Sequence, residues 1–229
     1  QNYVEIGRDI DFARTLMECW EQGTEKKLDW FFTEWNVAPE NTEARGLEQL
    51  VPYLAIFSEL HEIGVSTMAY WPMEHHETAL GSWDGKYSAE LRMSGQFFEF
   101  LTKEVQGSTV FDIDSGSNSY DVFGFGDAST LKFLVSSLSK AEQTLSLGDI
   151  LSYGTVDRAV RISSSGQSFD ADANLVFEEL GALQKTAVVE LDSYEFLLLE
   201  IPLYHEGGST DDYFRGGSWN DWFSTGAGH

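Results

Sequence analysis

The chain has 229 residues, 42% hydrophobic and 14% aromatic, which is enough apolar material for one large domain or two small ones. Its 38 acidic residues outnumber 14 basic ones, and the net charge of −24 is spread along the chain, so a nucleic acid or an anionic membrane would be repelled over most of the surface. Solubility, secretion and a saline habitat are all consistent with that charge. Cys19 is the single cysteine, which excludes an internal disulfide. No apolar run approaches the roughly 20 residues of a membrane helix.

Residues 3 to 22 place Ile6, Ile10, Ala13, Met17 and Trp20 at helical spacing, and Cys19 is expected to be a buried structural thiol on that helix. After Gly23 and a polar link, Leu28, Trp30, Phe31 and Phe32 form a short aromatic run suited to a strand buried on both faces. Charge enters only at its end, in Thr33-Glu34-Trp35-Asn36. A carboxylate buried within a sheet needs a partner, whereas one at the carboxyl end of a strand can face a cleft. A second helical pattern follows, carrying Leu47, Leu50, Val51, Leu54, Phe57 and Leu60, with a kink or a helix start expected near Pro52. Residues 64 to 71, GVSTMAYW, read as a second buried strand. The polar and aromatic loop PMEHHETALGSWDGKYS leads into a third helix with Leu91, Gly95, Phe98, Leu101 and Val105 on one face.

Helix, strand, helix, strand, helix implies a parallel sheet with helices outside it. Two strands cannot make that sheet alone, since each leaves an open edge and each helix a bare apolar face. Residues 1–106 are therefore expected to be the last part of a larger α/β unit that begins before Gln1. The chain does not start with methionine, and its first residues lack the layout of a signal peptide.

Beyond Gly107 seven short runs recur between turn-rich stretches: Val110 to Ile113, Tyr120 to Phe125, Leu131 to Val135, Thr144 to Leu147, Ala159 to Ile162, Ala187 to Leu191 and Tyr194 to Ile201. That spacing points to an antiparallel β-sandwich over residues 107–204. Residues 205–229, rich in Gly, Ser, Asp and aromatics, read as a tail or linker. The fold class expected is α/β followed by all-β.

Two metal patterns fail on spacing. Adjacent histidines in Glu74-His75-His76-Glu77 cannot both face one ion from a regular element, and Asp112 and Asp114 lack the later ligands of a calcium loop. No metal or other cofactor is expected.

A chain that ends in two strand-helix units and a sandwich, with TEWN at one strand end and AYW at the next, resembles the retaining glycoside hydrolases of clan A. Among these it looks most like the arabinofuranosidase, β-xylosidase and agarase-like members. The resemblance implies the closing part of a (β/α)8 barrel, the last two strand-helix units, with the β-sandwich appended. It implies Glu34 as the nucleophile at the end of the seventh strand and Trp71 as the aromatic platform at the end of the eighth. Trp35, Asn36, His75 and His76 are implied as further substrate-lining residues, on the same barrel face. The clan's acid/base glutamate belongs to an Asn-Glu pair after the fourth strand, and no Asn-Glu dipeptide occurs here. That residue, and the barrel half carrying it, is expected outside this chain, which is then inactive alone. The partner expected is a poly- or oligosaccharide, and the location secreted or periplasmic. The rival reading is a non-catalytic carbohydrate-binding or scaffold protein.

Overall fold

The computed structural model describes residues 3–35, 45–70, 80–83, 89–113, 117–151, 155–170, 172–203, 213–215 and 222–224. The chain divides into two compact units, Gln1–Thr102 with Phe169–Asn174, and Lys103–Ser168 with Leu175–His229.

In the first unit the order is helix α1 (Tyr3–Thr24), strand β1 (Trp30–Trp35), helix α2 (Leu47–Glu62), strand β2 (Val65–Tyr70), strands β3 (Gly81–Trp83) and β4 (Ala89–Leu91), and helix α3 (Met93–Val105). The two apolar runs of the sequence become a parallel pair, with Trp30 opposite Val65, Phe32 opposite Met68 and Trp35 opposite Tyr70. Between the two strands, α2 buries Leu47, Leu50, Val51, Tyr53, Leu54, Ile56 and Leu60. A helix this apolar on most sides belongs inside a layered structure rather than on a surface. No new helix starts at Pro52. It stands inside α2, where its missing N–H costs only the bond to the carbonyl of Glu48.

Helix α1 differs from its expected pattern. Ile10 and Met17 are buried, but Trp20 is 62% exposed and Cys19 is exposed as well. By helix geometry Cys19 stands opposite Ile10, while Trp20 lies beside the exposed Leu16 at the margin of the stripe that carries Met17. The segment between β2 and α3, read as a loop, contains the antiparallel pair β3 and β4, with Ser82 opposite Glu90. At the start of α3 the backbone of Leu80 lies so close that a Cβ on Gly95 would stand 2.0 Å from its carbonyl oxygen. The same oxygen accepts a hydrogen bond from the N–H of Arg92 at 2.9 Å.

The second unit is antiparallel. Strands β5 (Thr109–Ile113), β6 (Tyr120–Gly126), β7 (Thr130–Ser137), β9 (Val156–Ser164), β10 (Leu175–Leu183) and β12 (Phe196–Pro202) form one sheet in the order β10-β9-β12-β7-β6-β5. Strands β8 (Gln143–Ser146) and β11 (Val188–Leu191) form another, and the single-turn helix α4 (Leu147–Ile150) follows β8. Both sheets contribute to one apolar core, in which Leu145, Val189 and Leu191 meet Val135, Ala159, Leu197 and Leu199. The central strand β12 is a nearly continuous apolar run because both its faces are covered: Phe196, Leu197, Leu198 and Leu199 are fully buried.

Strand β10 is absent from the runs expected from the sequence. It is an edge strand whose pairing with β9 shifts around Gly181, at φ +73°, so its alternation is broken where a sequence pattern would have revealed it. The C-terminal segment, read as a linker, contains two short strands, β13 (Tyr213–Arg215) and β14 (Trp222–Ser224), paired antiparallel.

Ion pairs in this unit gather around Glu104, whose side chain is 13% exposed. It receives Lys132 Nζ at 2.6 Å and an Arg158 guanidinium nitrogen at 3.1 Å, while Arg158 also reaches Glu179 and Glu200. Burial pushes the Glu104 carboxyl up, but the hydrogen bonds and charges of Lys132 and Arg158 outweigh it and hold the group below the usual carboxylate range. Glu195 moves the other way. Burial is the main cause, and the N–H of Asp192, which donates to it, does not offset that. Among the described residues no helix is long and apolar enough to cross a membrane.

Candidate functional site

Parallel strands present their carboxyl ends on one side of the sheet, and in α/β folds that side carries the chemistry. Here it is formed by Thr33, Glu34 and Trp35 of β1 and by Tyr70 of β2. Glu34 is the fifth of the six residues of β1, so the single charge of this strand does fall at its end. The backbone of Glu34 is described and its side chain is not. Trp35 is described in full. Asn36, Trp71, His75 and His76 lie outside the described residues, as do Glu74, Glu77 and Asp114.

Around Trp35 four aromatic rings meet. Its ring stands edge-on to Tyr70, with centroids 5.2 Å apart and planes at 88°, and edge-on to Tyr53 at 6.3 Å and 87°. Phe98 of α3 closes the group, 5.6 Å from Trp35 and 4.9 Å from Tyr70. Edge-to-face contacts set the positive rim of one ring against the negative face of the next, which favours this geometry over parallel stacking. A polar chain runs along the same group: Gln49 Nε2 donates to the Tyr53 hydroxyl at 2.6 Å, and the Tyr70 hydroxyl donates to that same oxygen. Three elements, β2, α2 and α3, thus fix the residue that follows Glu34.

Trp35 is only 8% exposed, and its Nε1 is buried with no hydrogen-bond partner among the described residues. An unmade hydrogen bond of this kind costs about 1–3 kcal/mol. Of the six residues singled out from the sequence, then, Glu34 and Trp35 are neighbours on one strand. Tyr53, Phe98 and Gln49 were missed as participants. The signal that could have found the pair Gln49 and Tyr53 is their i, i+4 spacing on a helix face.

A cavity of about 410 Å³ lies at the other end of the strands, lined by Arg14, Glu18, Lys27, Trp30 and Gly64 among others. Trp30 opens β1 and Gly64 precedes β2, so this cavity is remote from the carboxyl ends of the strands.

No protein-family model and no curated protein matches the chain. Solved structures do. A glycoside hydrolase family 30 subfamily 8 xylanase from Clostridium acetobutylicum superposes with a TM-score of 0.52 at 13% identity, over 76% of this chain and 43% of that one. A GH86 protein in complex with neoagarooctaose gives 0.53 at 9% identity, over 85% of this chain and 33% of that one. A conserved exported protein from Bacteroides fragilis gives 0.53 at 12% identity, over 85% and 43%. The chain thus has a glycoside hydrolase-like fold, mixed helix and sheet with antiparallel sheets, and it spans less than half the length of each of these structures.

Proposed function

We propose that this chain is the closing part of a retaining glycoside hydrolase of clan A: the last two strand-helix units of a (β/α)8 barrel, followed by a β-sandwich. The observation that carries the reading is the position of Glu34, a lone carboxylate at the carboxyl end of a strand whose parallel neighbour ends one residue before Trp71.

Retaining hydrolysis needs a nucleophile beneath the anomeric carbon and, about 5 to 5.5 Å away, a second carboxyl that protonates the leaving oxygen. In this reading Glu34 attacks the anomeric carbon and forms a glycosyl ester. The acid/base residue, supplied by barrel strands outside this chain, protonates the departing oxygen and then activates water. In the same reading Trp71 offers a flat apolar face to the C–H face of the sugar, and Asn36, His75 and His76, which follow β1 and β2 in sequence, are further substrate-lining residues. Trp35 meets a ligand only at the narrow margin of its surface that is exposed. The substrate class is a poly- or oligosaccharide. This is the class to which the names of the structural neighbours point, and export from the cell fits the same reading.

The test is a Glu34→Ala variant in the protein carrying the whole barrel. Hydrolysis of its polysaccharide should be abolished while sugar binding is kept, and the 229-residue chain by itself should show little or no turnover. Robust hydrolysis by the variant, or by the chain alone, contradicts the assignment.

A further inference from the structure

Helix α2 buries an amide in an apolar setting. Gln49 is 4% exposed and stands among Leu47, Leu50, Val51 and Leu54 of the same helix, all of them buried. Taking an amide out of water is unfavourable unless its hydrogen bonds are remade, and leucine would fill similar space without that cost. Gln49 remakes one bond by donating from Nε2 to the Tyr53 hydroxyl at 2.6 Å, one turn further along α2. The Tyr70 hydroxyl donates to the same oxygen. A phenol oxygen has two lone pairs, which these two donors fill.

The line from Gln49 through Tyr53 to Tyr70 has both its ends at defined places. Gln49 is the third residue of α2, in the turn that follows the connection from β1, where Asn36 stands in the sequence. Tyr70 is the last residue of β2, and Trp71 comes next. The Tyr70 ring is held by Trp35 at 5.2 Å, Tyr53 at 5.3 Å and Phe98 at 4.9 Å. Such contacts fix where the ring sits but tolerate sliding, because apolar packing is non-directional. A hydrogen bond is directional, and the one between the two hydroxyls fixes how far the ring reaches toward α2. A stacking platform depends on that precision, since a displacement of about 1 Å is enough to spoil a reactive pose.

We propose that Tyr53 is a positioning residue for the sugar platform: its hydroxyl, held by Gln49, fixes Tyr70 and through it the direction in which the chain leaves β2 into Trp71. The proposal rests on the reading of Trp71 as the platform and adds the group that sets its place. Tyr53 is 1% exposed, so it acts through Tyr70 and not by touching substrate.

The bond can be removed from either end with the rings left in place, by Tyr53→Phe or by Tyr70→Phe. The protein to use is the one carrying the whole barrel, and the substrate is the oligosaccharide, of xylose, galactose or glucose units, that the parent hydrolyses fastest. Each variant should raise KM about tenfold and change kcat less than threefold, because a stacking face binds substrate and transition state alike. The double variant should be no worse than the poorer single one, since both changes remove the same bond. The readout that a purely structural role would not move is the dependence on Trp71: in a Trp71→Ala background, Tyr53→Phe should leave KM unchanged. If Tyr53→Phe fails to fold, Tyr70→Phe, at a half-buried position, makes the same comparison. An unchanged KM in the single variants, or an equal rise in KM with and without Trp71, would overturn the proposal. Its failure is separable from failure of the functional reading. A parent-like KM in Trp71→Ala removes the platform and this proposal with it, whereas a raised KM in Trp71→Ala beside a parent-like KM in Tyr53→Phe removes this proposal alone.

Discussion

Trp35 and Tyr70 are register partners across the parallel strands β1 and β2, and their rings meet edge to face at 5.2 Å. The contact ties together the last residues of both strands. Glu34 precedes one partner in the chain and Trp71 follows the other, so the two positions of greatest functional interest are attached to a single packed aromatic pair. Rings with few rotatable bonds, held on three sides, make a stiff mounting for a side chain that must be aimed.

Replacing Trp35 by Ala should cost about 3–5 kcal/mol of stability, the range for truncating a large buried aromatic residue. Its ring contacts to Tyr53, Tyr70 and Phe98 would all be lost. Urea unfolding followed by circular dichroism measures this. A loss below about 1 kcal/mol would mean that the cluster does not hold these strand ends.

Gly95→Ala should destabilise the protein by about 1–3 kcal/mol, although alanine is the better helix former by about 1 kcal/mol. The added methyl group would stand 2.0 Å from the carbonyl oxygen of Leu80, a backbone atom that cannot rotate aside. A melting temperature equal to or above that of the parent protein would contradict the close approach.

Glu104→Gln should lower stability by about 1–3 kcal/mol at neutral pH, since it removes the charge that faces Lys132 and Arg158. The sign of the pH dependence follows from its depressed pKa. Its folded value lies below the ordinary 4.5, so its contribution is fully present above that value and is lost as the pH falls through the folded value. Melting curves of parent and variant should therefore differ most near pH 7 and converge as the pH falls below the ordinary carboxylate range and through the lowered folded value. A difference that widens on acidification would contradict the network.

The strands of the α/β part were legible as continuous apolar runs, although β1 is not buried on both faces as expected, since Phe31 is 62% exposed, and the end of β1 was legible because the chain's polarity changes there, at Thr33 and Glu34. The aromatic group was not. Tyr53 and Phe98 come from different helices, and only tertiary packing brings them to Trp35. Spacing misled in α1, where Trp20 stands three residues beyond Met17 and so reads as part of the same stripe, although it lies at the margin of that stripe beside the exposed Leu16. Strand β10 stayed hidden because an edge strand with a shifted register and an interior glycine keeps little alternation. The loop residues Asn36, His75 and His76, and Trp71 with them, were legible only through resemblance, since loops carry no periodicity of their own.

A retaining mechanism passes through a covalent glycosyl-enzyme, so the most direct measurement is a peptide map of that intermediate. The protein carrying the complete barrel would be treated with activated 2-deoxy-2-fluoro glycosides of xylose, galactose and glucose, digested, and read by mass spectrometry. The account predicts the mass of one sugar on the peptide that contains Glu34, and its loss in Glu34→Ala. An adduct on a different carboxylate, or none on an enzyme that turns over its substrate, would contradict it.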